Sequence, residues 1–555
     1  MLPNLCNDTF WNQVKTDEAY AFLRDALTKL YDENCLCDIP HLTYSDYCIF
    51  FESGSRKEYE RAYFLRRRRL AVLAILCKIY PENEDYFHNL ENTIWAILDE
   101  YTWALPAHFP TKNDYIPERL DLFASETGYT LSEIKHMFED RLSSLMKTRL
   151  TMELDKRIIR SFLASECSWE YCDNNWAAVC AGSIGITFMY ENPAAFASVK
   201  YRIDRAMENF LSGYYADGVC REGLAYWDYG FGYFCYYAEH LKHFTKGEED
   251  LFKDAHVKTI AAFQQEMFLA GNVSVSFADG SDRASFNLGL THFLKSQYGD
   301  HISVPPMEYH SIMDSCGRWG RLSFSLLYYR PEYTSDIRVG SRLFEDSAWY
   351  IHRETTYSFA AKGGDNAEPH NHNDLGSFIL TNKDGQLLCD LGCGEYTRQY
   401  FEPDTRYTIL CNSSLGHSVP IVGEKAQKEG EEYAASLTKK ENGIDIDLTH
   451  AYDTDAISIS RSFTFSPNAV TLCDTFSFEA PTQVTERFVS KIEPEIVGSS
   501  VKIGVLTITA KDKTPTVSIE MHSVHGGRKS IPVYLIDFDL GCEKETQFEL
   551  ICSMT

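Results

Sequence analysis

The feature that most constrains the fold is a change of hydrophobic period near residue 335. Before it, "TDEAYAFLRDALTKLYDE" (16–33) places apolar residues at helical spacing, which are Ala19, Phe22, Leu23, Ala26, Leu27 and Leu30. Segments 85–105, 130–154 and 194–215 repeat the pattern, separated by stretches with Pro, Gly, Asn and Asp. Many helices of similar length in series favour a stack of helical hairpins.

After residue 335 the pattern becomes that of short strands. "SFILTNKDGQLLCDLG" (377–392) predicts two strands around a Lys-Asp-Gly turn. "SRSFTFSPNAVTLCDTFSFEAP" (460–481) predicts a second pair that turns at Ser466 to Ala469, and "VKIGVLTITA" and "QFELICSM" continue the pattern. A chain of 555 residues is also too long for one ordinary core. We therefore expect an α+β multidomain protein, with a helical domain over 1–335 and an antiparallel β-sandwich over 336–555.

Charge and composition exclude some partners. A net charge of −27 argues against nucleic acid or an anionic membrane as the general partner, because a negative field repels polyanions. The longest apolar stretch, "AAVCAGSIGITFMY" (177–190), is too short to span a membrane and predicts a buried helix. The 17 cysteines are scattered without a CxxC pair, and no signal peptide is visible. These features favour a cytoplasmic protein with reduced thiols, or a periplasmic or secreted one if a signal has been removed.

The stretch "EPHNHNDLGSF" (368–378) places two histidines two residues apart. If it enters a strand, His370 and His372 point to the same side, so that one imidazole can bind a metal while the other faces a substrate. Asp390 in "LLCDLGCGEY" and His417 in "CNSSLGHSVPIV" offer further ligands downstream. His372, Asp390 and His417 would together suit zinc or a similar divalent ion. The alternative is a pair of hydrogen-bonded histidines at a sheet edge.

Two further stretches lie in the predicted helical domain. "DGVCREGLAYWDYGFGYF" (217–234) is rich in tyrosine, and on a continuous helix Glu222 and Tyr226 share a face. Its glycines weaken a helix, which together with the dense aromatic residues suggests a cleft wall, and simple aromatic packing is the alternative. In "YCDNNWAAVCAG" (171–182), Asn174 and Asn175 precede an apolar helix, and a helix N-cap is the alternative to a functional role.

Together these stretches resemble the heparinase II/III-type polysaccharide lyases, which include related alginate lyases. The resemblance rests on the order and separation of "EYTWALPAH", "NNWAAVC", "EGLAYWDYG", "HNHNDLGSF", "CDLG" and "LGHSV". It implies an incomplete α/α toroid followed by an antiparallel β-sandwich. It also implies β-elimination at a uronic acid, in which a base removes the proton at C5 and the glycosidic oxygen at C4 leaves.

The resemblance also implies roles for individual residues. Asn175 would neutralise the substrate carboxylate, and Tyr226 would act as base and then as acid. His370 would be the second catalytic group, facing Tyr226. A structural metal site, with zinc expected, would be formed by His372, Asp390 and His417. The residues that contact the substrate would be Glu222, Tyr229, Arg221 and His108. Trp176 stands where some relatives carry a histidine directly after the asparagine.

The expected partner is an anionic, uronate-containing oligo- or polysaccharide. Heparan sulfate, hyaluronan, chondroitin and alginate all fit the resemblance. Since these are polyanions, the acidic surface must be broken by a basic cleft, and Arg56, Arg221 and the run Arg66 to Arg69 are candidates to line it. The alternative for the four consecutive arginines is a solvated helix edge.

Two other functions are consistent with the same residues. A glycoside hydrolase would need two carboxylates flanking the bond, for which Glu222 and Asp228 are the nearby pair. A non-catalytic sugar-binding protein would use its aromatic side chains to stack sugars and its histidines only to hold a metal.

Overall fold

The structure, a computed structural model, describes residues 2–111, 116–335, 338–368, 370–526 and 529–554. It divides the chain into two compact units. The helical unit comprises Met1–Gly213, Tyr226–Ala261 and Phe286–Asp336. The sandwich unit comprises Tyr214–Ala225, Ala262–Ser285 and Ile337–Thr555, so two short segments from the helix-rich half of the chain belong to it.

The helical unit is built from helices joined by short loops and 3₁₀ turns. Its helices of eight or more described residues are Asp8–Thr16, Ala21–Asn34, Tyr44–Ser53, Lys57–Ile79, Glu84–Leu98, Leu122–Met137, Ser144–Leu154, Asn175–Glu191, Pro193–Ser212, Gly232–Phe244, Leu288–Tyr298 and Trp319–Leu327. Several begin at a residue whose side chain accepts backbone N–H groups of the first turn, as at Thr43, Asn83 and Asp121. Among the described residues, no helix is long and apolar enough to cross a membrane.

The helix Asn175–Glu191 lies at the centre of this unit. Its side chains from Ala177 to Met189 are all buried, as the apolar sequence predicts. It packs against Leu122–Met137, Pro193–Ser212 and Gly232–Phe244. Gly185 permits the last of these contacts, since a Cβ there would lie 2.6 Å from the Tyr237 ring.

The four consecutive arginines are structural, which corrects both alternatives offered for them. Arg66, Arg67 and Arg69 are buried on the helix Lys57–Ile79. Arg66 and Arg67 bind the Glu100 carboxylate at 3.1 Å and 2.6 Å. Arg69 donates to backbone carbonyls, and Arg68 binds Asn34 and the Ser315 carbonyl. A guanidinium satisfied in this way fixes helices to one another.

Among the described residues, the sandwich unit contains two large antiparallel sheets and a two-stranded antiparallel sheet of Phe268–Ala270 and Val273–Ser274. In the described part of the chain, the smaller of the two large sheets has five strands in the order Gly385–Leu388, Phe378–Asn382, Ser358–Lys362, Trp349–Arg353 and Gly340–Phe344. The main path of the larger sheet runs Glu495–Val497, Ser500–Ile503, Leu506–Ala510, Ile531–Met554, Ala469–Ser490, Ala456–Ser466, Gly443–Asp447, Gly430–Lys440 and Gly364–Asn366. Pro420–Val422 pairs with Ala469–Ser490, and Thr516–His522 pairs with Ile531–Met554.

Apolar side chains from both sheets form one core. Phe359 and Phe378 of the smaller sheet pack with Phe463 of the larger one. The predicted hairpins are confirmed, since Asn382 pairs with Gly385 and Ser466 with Ala469. The observed order, a helical unit followed by an antiparallel β-sandwich, agrees with the predicted fold class.

Candidate active site and metal-binding group

The histidine motif lies in a loop that leads into a strand, and not in the strand itself. The strand begins at Phe378, eight residues after His370. His370 has a φ of 56°, a left-handed conformation that non-glycine residues seldom adopt. The predicted strand geometry for His370 and His372 is therefore wrong. Strained backbone of this kind is typical of functional sites.

The two histidines nevertheless meet at one carboxylate, that of Asp279. His370 Nδ1 lies 2.6 Å from Asp279 Oδ2, and His372 Nε2 lies 3.2 Å from Asp279 Oδ1. The hydroxyls of Tyr396 and Tyr400 also donate to this carboxylate, and Arg406 Nη2 lies 3.9 Å from Oδ1. Asp279 is 3% exposed. Sequence reasoning missed it, because the two aspartates of "FADGSDR" (277–283) have neither periodicity nor motif spacing to mark either of them.

A second carboxylate lies at the other side of the His370 ring. Glu222 Oε2 is 3.4 Å from His370 Nε2, so the imidazole lies between two acidic groups. Glu222 does not share a helix face with Tyr226, as a continuous helix would have required. The helix starts at Leu224, after Gly223 with a φ of 94°, and the turn directs Glu222 toward the sandwich unit's own residues.

These contacts set the charges of the cluster. Burial alone would raise the pKa of Asp279, but the hydrogen bonds from His370 and His372 hold that pKa well below its ordinary value. Burial alone would lower the pKa of His370, but the hydrogen bond and charge of Asp279, together with Glu222, raise it. The cluster is therefore a buried carboxylate that favours the protonated form of the imidazole it faces.

A group able to hold a metal lies next to this cluster. Within the described residues, Asp374, Asp390 and His417 each offer one ligand atom, and these atoms lie within 4.8 Å of one another. All three side chains are buried. Asp390 follows the strand Gly385–Leu388, as predicted. Carboxylate and imidazole donors in this number suit a divalent ion.

In both His372 and His417, one ring nitrogen is placed where it could bind a metal ion. His417 Nε2 donates to the Cys411 carbonyl at 2.8 Å, and Nδ1 donates to Asp390 Oδ2 at 3.0 Å, so a bound cation would take the place of the Nδ1 proton. His372 Nδ1 is buried and has no hydrogen-bond partner among the described residues, while Nε2 donates to Asp279. The His372 and His417 ring centroids are 5.5 Å apart. These features fit a bound cation, and His372 as a ligand stays a prediction.

A buried lysine faces the same group. Lys362 Nζ lies 2.6 Å from Asp374 Oδ1 and 3.2 Å from Asn371 Oδ1. Asp374 Oδ2 is buried without a hydrogen-bond partner in the described part of the chain. Lys362 therefore balances one oxygen of Asp374 and leaves the other for a ligand.

The helical unit holds the other predicted catalytic residues. Asn174 caps the helix Asn175–Glu191 by accepting the Trp176 N–H at 3.1 Å, and Asn175 is the buried first residue of that helix. Tyr226 is half-buried and precedes a π-helical turn, Trp227–Phe231. Gly230 in that turn lies against Asn175, since a Cβ at Gly230 would be 3.1 Å from the Asn175 Cβ. The turn after Tyr226 and Asn175 are thus brought together, and π-turns recur at functional sites.

The predicted substrate contacts of the helical unit form polar pairs nearby. The Tyr229 hydroxyl donates to Glu126, and the Arg318 guanidinium stacks on the Tyr229 ring at 3.7 Å. His108 Nδ1 lies 2.6 Å from Asp121 Oδ2. The His108 ring also contacts Trp176, with centroids 4.8 Å apart.

The remaining candidate residues, Arg221, Arg56 and Asp228, each contact different neighbours. Arg221 stacks on Tyr215 at 4.6 Å, in the sandwich unit, and its Nε has no hydrogen-bond partner among the described residues. Arg56 Nε binds Glu60 at 2.5 Å. Asp228, the second carboxylate of the hydrolase alternative, binds Arg321 and accepts from Asn287 at 2.7 Å. Asp228 is therefore held by its neighbours in the helical unit, which leaves the hydrolase alternative without support.

Comparisons with known proteins agree with this architecture. Residues 337–533 match the family model described as heparinase II/III-like, C-terminal. A crystal structure of heparinase III is similar, with a TM-score of 0.65 and 13% identity over 100% of this chain and 92% of that one. The heparan sulfate lyase HepC from Pedobacter heparinus follows, with a TM-score of 0.57 and 14% identity over 97% and 88%.

A more distant match has the same architecture. The chondroitin AC lyase of Streptomyces coelicolor A3, in complex with chondroitin sulphate, gives a TM-score of 0.52 and 10% identity over 96% of this chain and 82% of that one. No curated protein matches the chain. The predicted resemblance is thus confirmed by the family model over 337–533, and the fold is confirmed over nearly the whole chain.

Proposed function

We propose that this protein is a polysaccharide lyase that cleaves uronate-containing glycans by β-elimination. The observation that carries the proposal is the His370 imidazole with a carboxylate at each ring nitrogen, Asp279 at Nδ1 and Glu222 at Nε2. Burial lowers the pKa of His370, but the hydrogen bond to Asp279 and the charges of both carboxylates outweigh it and raise that pKa, which favours the protonated ring. A fixed cation on a strained loop suits the carboxylate of a uronic acid.

The proton at C5 of a uronate is very weakly acidic, so its removal requires that the developing negative charge be stabilised. Asn175 and His370 supply the donors for the substrate carboxylate in this proposal. Tyr226 removes the C5 proton and returns it to the departing C4 oxygen.

We infer that zinc, or a similar divalent ion, is held by His417, Asp390 and either His372 or Asp374. Bound there, the ion would fix the loops of the sandwich unit and would take no part in the bond changes. The chain's own residues accomplish the proton transfers in this proposal.

The substrate class is an anionic glycan, with heparan sulfate, chondroitin, hyaluronan and alginate as candidates. The similar structures are named as lyases of heparan sulfate, chondroitin and xanthan, which supports this class. We also propose a cytoplasmic location. The 17 cysteines are free thiols in the structure, which suits a reducing compartment.

The test is ultraviolet absorbance during incubation with this panel of glycans, since β-elimination creates a conjugated double bond. We expect absorbance to rise with the wild type and to be lost with Tyr226→Phe, which keeps the ring and removes the hydroxyl. The exposed Tyr201→Phe is the matched control and should behave as the wild type. New reducing ends without absorbance would contradict the proposal and indicate hydrolysis.

A further inference from the structure

We propose that Asp279 is a positioning residue that orients His370 and His372 together, so that the proposed catalytic histidine and the metal-binding group are fixed by one carboxylate. The inference rests on the proposed function for His370, but its metal-binding part can be tested without it. Asp279 is assigned no role by the sequence motifs, and it lies 91 residues before His370.

Each carboxylate oxygen of Asp279 accepts hydrogen bonds from one histidine and one tyrosine. Oδ2 accepts from His370 Nδ1 at 2.6 Å and from the Tyr396 hydroxyl at 3.0 Å. Oδ1 accepts from His372 Nε2 at 3.2 Å and from the Tyr400 hydroxyl. Four donors surround a carboxylate that has about four acceptor positions, so its orientation is fully determined.

The backbone that carries Asp279 is also fixed. Ala278 has a φ of 56°, so the residue before Asp279, like His370, is held in the left-handed region. The Gly280 carbonyl accepts the Cys393 N–H at 2.9 Å. A Cβ on Gly392 would overlap that carbonyl. The loop with Asp279 is therefore packed against the segment that follows Asp390, one of the metal-binding residues.

The consequence is that Asp279 orients both rings and also selects the tautomer of His372. By accepting from His370 Nδ1 it directs Nε2 toward Glu222 and the proposed substrate position. By accepting from His372 Nε2 it leaves Nδ1 unprotonated, with the lone pair that a metal ion requires. Histidine ligands are commonly oriented in this way by a carboxylate behind them. Here the same carboxylate would serve a ligand and a catalytic group.

The test compares Asp279→Asn with the wild type in the full-length protein. The amide has the same shape but a single acceptor oxygen, so it can accept from one imidazole only. Asp282→Asn is the matched control, because Asp282 lies in the same loop, binds Lys491 at 2.9 Å and contacts neither histidine in the described contacts. Zinc affinity is measured by competition with a chromophoric chelator, and kcat and KM are measured with zinc at saturation.

We expect Asp279→Asn to bind zinc about 10-fold to 100-fold more weakly. At saturating zinc we expect kcat to stay reduced by about 100-fold, with KM changed by less than about threefold, because His370 remains misoriented. Asp282→Asn should match the wild type in both. A kcat fully restored by excess zinc, or an unchanged zinc affinity, would overturn the shared role. A wild type without lyase activity would contradict the proposed function. The zinc titration would then still test whether Asp279 orients His372 for metal binding.

Discussion

Glu222 Oε2 lies 3.4 Å from His370 Nε2, on the side of the imidazole opposite Asp279. This contact joins two segments of the sandwich unit that are distant in sequence. It depends on Gly223, whose φ of 94° ends the turn and lets the next helix start at Leu224. Glu222 therefore sets the charge around the ring nitrogen that Asp279 leaves available.

Glu222→Gln tests this contact. The amide removes a negative charge from His370 Nε2, so we expect kcat/KM on the best glycan to fall about 100-fold. Glu345→Gln, an exposed acid of the same unit, is the control and should leave kcat/KM unchanged. Equal rates for the two variants would show that Glu222 has no part in the reaction.

Asn175→Ala and Asn174→Ala separate catalysis from helix capping. Asn174 accepts the Trp176 N–H, so its loss should reduce stability by about 1 kcal/mol and leave the activity of the folded protein near that of the wild type. Asn175→Ala should reduce kcat by about 100-fold to 1000-fold, as expected for the loss of a donor to developing charge. Thermal melts and initial rates on both variants make the comparison. A loss of activity in Asn174→Ala, with activity retained in Asn175→Ala, would contradict the role of Asn175.

Metal binding should stabilise the protein through His417. At a zinc concentration 100 times Kd, the stability gain is about 2.7 kcal/mol. We expect calorimetry to show a higher Tm with zinc for the wild type, reversed by a chelator, and no such change for His417→Ala. His450→Ala, an exposed histidine of the same unit, should respond as the wild type. A zinc response that survives in His417→Ala would place the ion elsewhere.

The helical unit should lose stability in mild acid because of His292. Burial lowers the pKa of His292 from 6.5 to about 3 in the folded state, and its Nδ1 accepts the Arg330 N–H at 3.0 Å. The stabilisation is complete above pH 6.5 and is lost as the pH falls toward 3, because the unfolded chain binds the proton first. Between pH 6.5 and 5 this amounts to about 2 kcal/mol.

His292→Asn checks this, since the amide oxygen can replace Nδ1 as acceptor without titrating. We expect the variant to show a smaller drop in Tm between pH 7 and pH 5 than the wild type. His41→Asn, at an exposed position of the same unit, should leave the drop unchanged. An equal drop in His292→Asn would mean that other groups control the acid response.

Much of the fold could be predicted from hydrophobic period and turn residues. The hairpin at Ser466–Ala469 and the buried helix from Ala177 follow directly from local pattern. The burial of Arg66 and Arg67 could not, because it depends on Glu100, which lies 34 and 33 residues further along the chain. A local pattern of charge does not reveal such a partner.

The candidate site was predicted in part. The predicted strand geometry of His370 and His372 was wrong, because the two rings share the Asp279 carboxylate and not a strand face. Asp390 and His417 do lie together, at 3.0 Å. Asp279, Asp374 and Lys362 were missed, since each is an ordinary polar residue until folding buries it beside the histidines.

The most direct test of the lyase proposal is mass spectrometry of the products formed by the wild type in heavy-oxygen water. Elimination predicts that one new end is unsaturated and that the products together lack one water relative to hydrolysis. It also predicts no heavy oxygen in products that are quenched before their reducing-end hemiacetal oxygen exchanges with the solvent. Hydrolysis would place a heavy oxygen at the new reducing end of a fully saturated product. That result would contradict the proposal that Tyr226 and His370 catalyse β-elimination.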